Sequence, residues 1–207
     1  MKCFIAVTGA SGTIYAVRLL QKLIRFGVDI ETVFSQYGKI VAENELGWSF
    51  PEQISQWPSY LTRMLGFDNK NNACTSTLKC YAENDMLAPP ASGSHIVDAM
   101  IVIPASMGVI SAIATGASQN LLERAADVMI KEHRQLIVVP RETPMSTIHL
   151  KHLYELSTFG VQVLPACPSF YQKPETISDL VEFLVQRILD QLKLADENQY
   201  RWGKDNK

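Results

Sequence analysis

Residues 2–34 read KCFIAVTGASGTIYAVRLLQKLIRFGVDIETVF, and the fold follows from the change of period inside them. KCFIAVT is a short apolar run that breaks at Gly9 and Gly12, as a first strand does. Ile14, Val17, Leu20 and Ile24 then recur at three- and four-residue spacing, while Arg18, Gln21, Lys22 and Arg25 fall largely on the other side. That is the pattern of an amphipathic helix, and Gly27 can end it. VDIETVF follows as a second strand, so the segment is a βαβ unit.

Further short runs place strands near 2–8, 28–34, 99–104, 135–140 and 161–164, separated by segments of helical period. Such alternation predicts an α/β fold: a single-domain, Rossmann-like three-layer sandwich with a mostly parallel sheet and helices on both faces. A last helix is expected near 174–193, with Pro174 in its first turn and Ile177, Leu180, Val181, Leu184 and Ile188 along one face. Segment 46–98, with Trp48, Trp57, a polar DNKNN and then APPASGSH, reads as an excursion followed by a long loop. The expected division is a domain at 1–195 and a polar tail at 196–207, which Trp202 could anchor.

A chain of 207 residues with 47% hydrophobic and 19% charged residues can bury one substantial core. Lys plus Arg number 19 against 21 Asp plus Glu, a formal charge of −2, which gives no electrostatic basis for nucleic acid or an anionic membrane as partner. The sequence has neither an apolar run of bilayer length nor a signal-peptide start. Cys3, Cys74, Cys80 and Cys167 form no CxxC pair, so a reduced, cytoplasmic setting is expected, with Cys3 and Cys167 as small buried side chains. His95, His133, His149 and His152 form no metal set and are expected to be structural or at the surface.

The candidate site residues lie where strands end. Gly9, Ala10 and Ser11, just before a helix, offer backbone N–H groups to an anion, although a tight turn selects glycine for steric reasons too. The second strand ends in Ser35 and Gln36, not in the acid that holds a dinucleotide ribose. NAD is thereby disfavoured and a mononucleotide such as FMN is favoured, with Ser35 as a flavin contact or a helix cap. AMIVIP releases into Ser106, Met107, Gly108 and Val109, followed by a helical stretch of small residues. QLIVVP delivers Arg141 and Glu142, an anion ligand and a proton carrier or a solvated turn. Arg124 and Lys131 on the preceding helix, Tyr171 after the next strand and Arg187 on the last helix complete the set, with Phe170 expected to pack.

Taken in order, GASGTIYAVRLL, PPASGS, NLLERAADVMIKEHRQLIVVPRETP, FYQKP and RWG resemble the UbiX-type flavin prenyltransferases over nearly the whole chain. The resemblance implies transfer of dimethylallyl from dimethylallyl phosphate to N5 and then C6 of reduced FMN, without metal. The product serves a UbiD-type decarboxylase in ubiquinone biosynthesis or aromatic-acid metabolism. It further implies a homo-oligomer, commonly a dodecamer, in which PPASGS can serve a neighbour's pocket. Flavin contacts would come from Gly9, Ala10, Ser11, Ser35, Ser106 through Val109 and Arg141. Lys131, Glu142, Tyr171 and Arg187 would form the prenyl-phosphate site with Arg124 nearby, and Ser11 and Glu142 would handle protons. Val109 replaces the usual threonine of Ser-x-x-Thr, and Met86-Leu87 replace the usual aromatic residue before APPASG. Two other readings share the fold. A flavoprotein cysteine decarboxylase of the phosphopantothenoylcysteine type needs a His after the first helix and a PxMNxxMW-like loop, and neither is found. A non-catalytic FMN carrier would not require Lys131, Glu142, Tyr171 and Arg187 together.

Overall fold

The computed structural model describes residues 1–67 and 76–194; the expected tail at 196–207, Trp202, Cys74 and DNKNN lie outside them. It divides into two compact units, Met1–Ala166 and Cys167–Lys207.

In the first unit six strands form one sheet: β1 (Lys2–Val7), β2 (Asp29–Phe34), β3 (Leu78–Tyr81), β4 (Ala99–Ala105), β5 (Gln135–Pro140) and β6 (Gln162–Val163). Their order is β3-β2-β1-β4-β5-β6, and every pairing is parallel. Between them run α1 (Thr13–Arg25), α2 (Gln36–Leu46), α3 (Trp57–Met64), α4 (Met107–Thr115), α5 (Leu121–Lys131) and α6 (Thr147–Thr158). Successive crossovers move outward from β1 in one direction and then in the other, so the chain reverses between β1 and β4. That crevice is where a doubly wound sheet binds its ligand.

Strand side chains alternate between faces. Phe4, Ala6, Val33, Met100, Val102, Leu136 and Val138 share one core with Ile110 of α4, Leu122, Ala126 and Met129 of α5, and Leu156 of α6. Cys3, Ile5, Ile30 and Ile101 point to the opposite face, where α1 buries Ala16, Leu19, Leu20 and Leu23. The expected layers are therefore present. The stripe on α1 is shifted by about one residue from the one expected, leaving Ile14 37% exposed at the carboxyl edge.

Three local expectations change. The excursion supplies an edge strand, β3, whose LKCY is too short and too exposed to carry an alternating signal. Before it, Phe50 packs 4.9 Å from Phe34 and 4.8 Å from Trp57, ring centre to ring centre, which anchors the segment around α3. The small-residue stretch after β4 is two helices, because Gly116 takes a left-handed φ of 71° to end α4 and the Asn120 side chain caps α5. In the second unit α7 spans Ile177–Gln191; Thr176 and Asp179 form a capping box, so Pro174 precedes the helix and Ile177 is exposed.

Gly38, in the first turn of α2, has no room for a side chain: an added Cβ would lie 2.5 Å from the Val7 carbonyl oxygen. Gly108 in α4 faces open space. Gly38→Ala is expected to destabilise the protein by about 1–3 kcal/mol in urea unfolding, whereas Gly108→Ala should be neutral or stabilising.

Candidate functional site

Thr8, fully buried, ties the crevice together. Its hydroxyl donates to the Pro104 carbonyl (2.7 Å) and accepts from the Ser106 amide (2.8 Å), joining the carboxyl ends of β1 and β4. The Arg141 amide donates to the Ala105 carbonyl (3.2 Å), adding the end of β5. The Arg141 guanidinium then reaches across to the Ser11 carbonyl, Nε to O 3.0 Å. A cavity of about 420 Å³ opens here, lined by Ser11, Gly12, Ile14, Tyr15, Glu45, Leu46, Arg141 and Ala166. Ile14, Tyr15, Leu46 and Ala166 give it apolar walls, and Arg141, Glu45 and Ser11 a polar rim, a lining that suits a flat ring with polar edges.

At the start of α1, Glu45 holds the position expected for a bound anion. Its carboxylate accepts from the Gly12 amide (3.0 and 3.1 Å) and the Thr13 amide (2.9 Å). Partial burial pushes its pKa up, but hydrogen bonds from the Ser11 hydroxyl and those two amides outweigh this and hold it below the usual value. The anion cradle expected at Gly9, Ala10 and Ser11 is thus capped on its helix side by the chain's own carboxylate. Gly9 answers to packing, since a Cβ there would collide with the Cβ of Tyr37.

A second helix start faces the same edge. Ser106 is the N-cap of α4 but makes no side-chain cap bond, and Gly108 leaves open space beside the first turn. Val109 is partly buried, and the Met107 side chain lies in the core, so Met107 can offer a ligand only its backbone. Ser35 caps α2 by accepting from the Gly38 amide at 2.9 Å. Glu142 is half-buried beside Arg141, with its carboxylate on the Thr143 amide at 3.0 Å.

Arg124 and Lys131 lie elsewhere on the unit. Lys131 ends α5, and the chain re-enters the sheet at Gln135, the opposite end of β5 from Arg141. Six strand residues put roughly 20 Å between those edges. Lys131 pairs with Glu132, and Arg124 donates from Nε to the Ala91 carbonyl (3.1 Å) and pairs with Asp127 at 2.6 Å. A single first unit therefore brings Ser11, Glu45, Arg141 and Ser106 together and separates them from Lys131. In the second unit the Tyr171 ring meets Phe183 of α7 edge-on at 5.8 Å, and Arg187, one turn further, pairs with Asp190 at 3.2 Å.

The Flavoprotein family profile matches residues 1–189. The chain is 41% identical over 202 residues to the flavin prenyltransferase UbiX of Pseudomonas aeruginosa, covering 98% of this chain and 94% of that one. The chain belongs to the flavoprotein family. It also superimposes on a dodecameric FMN-dependent UbiX-like decarboxylase of Escherichia coli O157:H7 with a TM-score of 0.83, at 36% identity and with 98% and 99% of the two chains covered. AnUbiX (PadA1), solved in complex with FMN and dimethylallyl pyrophosphate, gives a TM-score of 0.83 at 34% identity, covering 97% and 96%.

For a flavoprotein-family crevice the sequence signals were uneven. Glu45 was missed, because an acid near the end of a helix reads as solvated surface until the fold sets it against the start of α1. Cys3 is buried and its thiol is pushed up to about 12, chiefly by burial, but Cys167 is exposed, because it follows the last strand and not a core run. Phe170 is 70% exposed and so is not a packing residue of the described chain. His149 completes the cap of α6, and His152 lies between Ser111 (3.2 Å) and Glu155 (3.1 Å). No metal-holding group of His, Cys, Asp and Glu occurs among the described residues, and no described helix is long and apolar enough to cross a membrane.

Because its folded-state pKa is depressed, the Glu45 carboxylate contributes stability above the ordinary value of 4.5 and loses it as pH falls through the lower folded value. In urea unfolding, wild type should exceed Glu45→Gln at pH 7, and the gap should close on acidification. A gap that persists or widens below that range contradicts the assignment.

Proposed function

We propose that this protein is a flavin prenyltransferase that moves a dimethylallyl group from dimethylallyl phosphate to N5 and C6 of reduced FMN. The observation that carries this is the crevice joining Ser11, Glu45 and Arg141 beside the uncapped start of α4, in a chain whose full-length relatives are flavin prenyltransferases. The lining fits FMN: Arg141 and Ser11 would hold the polar edge of its ring, Ile14 and Leu46 would line its flat face, and Ser35 with Ser106 through Val109 would hold its ribityl chain and phosphate. Glu45 takes up only the Gly12 and Thr13 amides, so Gly9, Ala10 and Ser11 would still offer their backbone to the phosphate, with the start of α4 facing the same edge.

Bound reduced FMN supplies the nucleophilic nitrogen and carbon. The rest is done by the chain. The C–O bond of the donor breaks as the first C–N bond forms, and phosphate leaves with the electron pair. Lys131, Arg124, Arg187 and the Tyr171 phenol stabilise that charge, which makes a metal unnecessary. Closing the ring at C6 requires the prenyl alkene to gain a proton at its middle carbon as C6 gives one up, so the exchange is neutral overall; Ser11, hydrogen-bonded to the Glu45 carboxylate, and Glu142 would carry that proton.

Since Lys131 and Arg141 stand at opposite edges of one sheet, the two halves meet only between copies. The protein is thus a homo-oligomer, a dodecamer like the Escherichia coli relative. Residues 1–195 act as the flavin-binding unit and 196–207 as a tail, in a reduced cytoplasm where a UbiD-type decarboxylase consumes the product.

Incubated with reduced FMN and dimethylallyl phosphate, the protein should yield a flavin heavier by one five-carbon prenyl unit in mass spectrometry. Bound but unmodified FMN rejects the assignment. Arg187→Ala should raise KM for the donor by roughly tenfold or more with FMN affinity nearly unchanged; equal losses in both refute its role in leaving-group binding.

A further inference from the structure

On β2, the Glu31 side chain is 2% exposed on the sheet face that the 88–98 segment covers. A carboxylate so far from water needs partners. Lys2 of β1 stands 3.7 Å from Oε1, and burial followed by the nearby Glu31 charge pushes the Tyr81 phenol of β3 up to about 12. Among the described residues, one partner comes from outside the sheet. His95 Nε2 lies 2.8 Å from Glu31 Oε2, while Oε1 has no hydrogen bond of its own.

His95 is also the hinge of a backbone clamp. Its carbonyl accepts from Arg134 Nη1 (2.7 Å), and the Gly93 carbonyl accepts from Nη2 of the same guanidinium (2.6 Å). Between those points Gly93 presses on the end of α5: an added Cβ would meet the Glu132 carboxylate and lie 2.7 Å from Lys131 Nζ. The Lys131 ammonium and the Glu132 carboxylate thus pack directly on the Gly93 backbone, which Arg134 ties to His95 on buried Glu31.

We propose that His95, seated on Glu31, is a positioning residue for the prenyl-phosphate half of the site, fixing the Gly93 backbone against Lys131 and Glu132 so that the ammonium meets the leaving phosphate. This rests on the prenyl-transfer assignment above. A displacement of about 1 Å at such a group is enough to cost a large factor in rate or binding. His95 touches neither flavin nor donor; it acts through Gly93.

The test compares wild type, His95→Ala, His95→Gln and the double variant Glu31→Leu/His95→Leu. The double variant removes the buried carboxylate together with its partner, so it keeps the fold while losing the tether. KM for dimethylallyl phosphate, FMN affinity, and amide exchange over 92–98 are measured on each. In His95→Ala and in the double variant, KM for the donor should rise roughly tenfold, exchange over 92–98 should quicken, and FMN affinity should stay within about twofold of wild type. His95→Gln, whose amide can still donate to Glu31, should recover most of the loss. An unchanged donor KM in the stable double variant, or equal losses of donor and FMN binding, overturns the proposal while wild-type prenyl transfer stands. A wild type that makes no prenylated flavin removes the assignment on which it rests.

Discussion

One buried hydroxyl organises the working edge of this molecule. Thr8 donates to the end of β4 and accepts from the residue that opens α4, so the two strands between which the sheet reverses direction are joined where the crevice lies. Everything placed at the site hangs from that junction: Ser11 one turn of loop away, Ser106 at the head of α4, and Arg141 drawn in through the Ala105 carbonyl. Its exchange of two polar partners in a dry environment is strong because neither can be replaced by water.

Charge then divides the labour. Glu45 takes up the Gly12 and Thr13 amides at the start of α1, which leaves the backbone of Gly9, Ala10 and Ser11 and the start of α4 open to an anion and puts a carboxylate beside the Ser11 hydroxyl. Lys131, at the end of α5, is separated from Arg141 by the length of a strand. A parallel sheet cannot bring the two ends of its strands together, which is why we propose that another copy completes the site. The 88–98 segment is pinned by Glu31, Arg124 and Arg134 and packs against the end of α5 that carries Lys131.

The layers, five strands and the strand-end loops that carry Ser11, Ser106 and Arg141 were legible because they rest on periodicity and on glycines at strand ends. The edge strand β3 was not, since four half-exposed residues carry no period. The break between α4 and α5 was hidden by continuous small residues, although Gly116 and Asn120 mark it in retrospect. Glu45 and the His95–Glu31 pair were invisible for a different reason: each joins residues more than thirty positions apart, and nothing local distinguishes such an acid or histidine from a surface one. Ser35 could be read two ways from sequence, and its bond to Gly38 shows the cap.

The claim that the site is completed between copies is tested most directly by mixing two inactive variants. Lys131→Ala and Arg141→Ala, co-assembled in equal amounts, should regenerate about a quarter of the wild-type sites and a matching rate of prenylated-flavin formation, because each intact site takes Lys131 from one copy and Arg141 from another. A mixed assembly no more active than the separate variants would contradict the account.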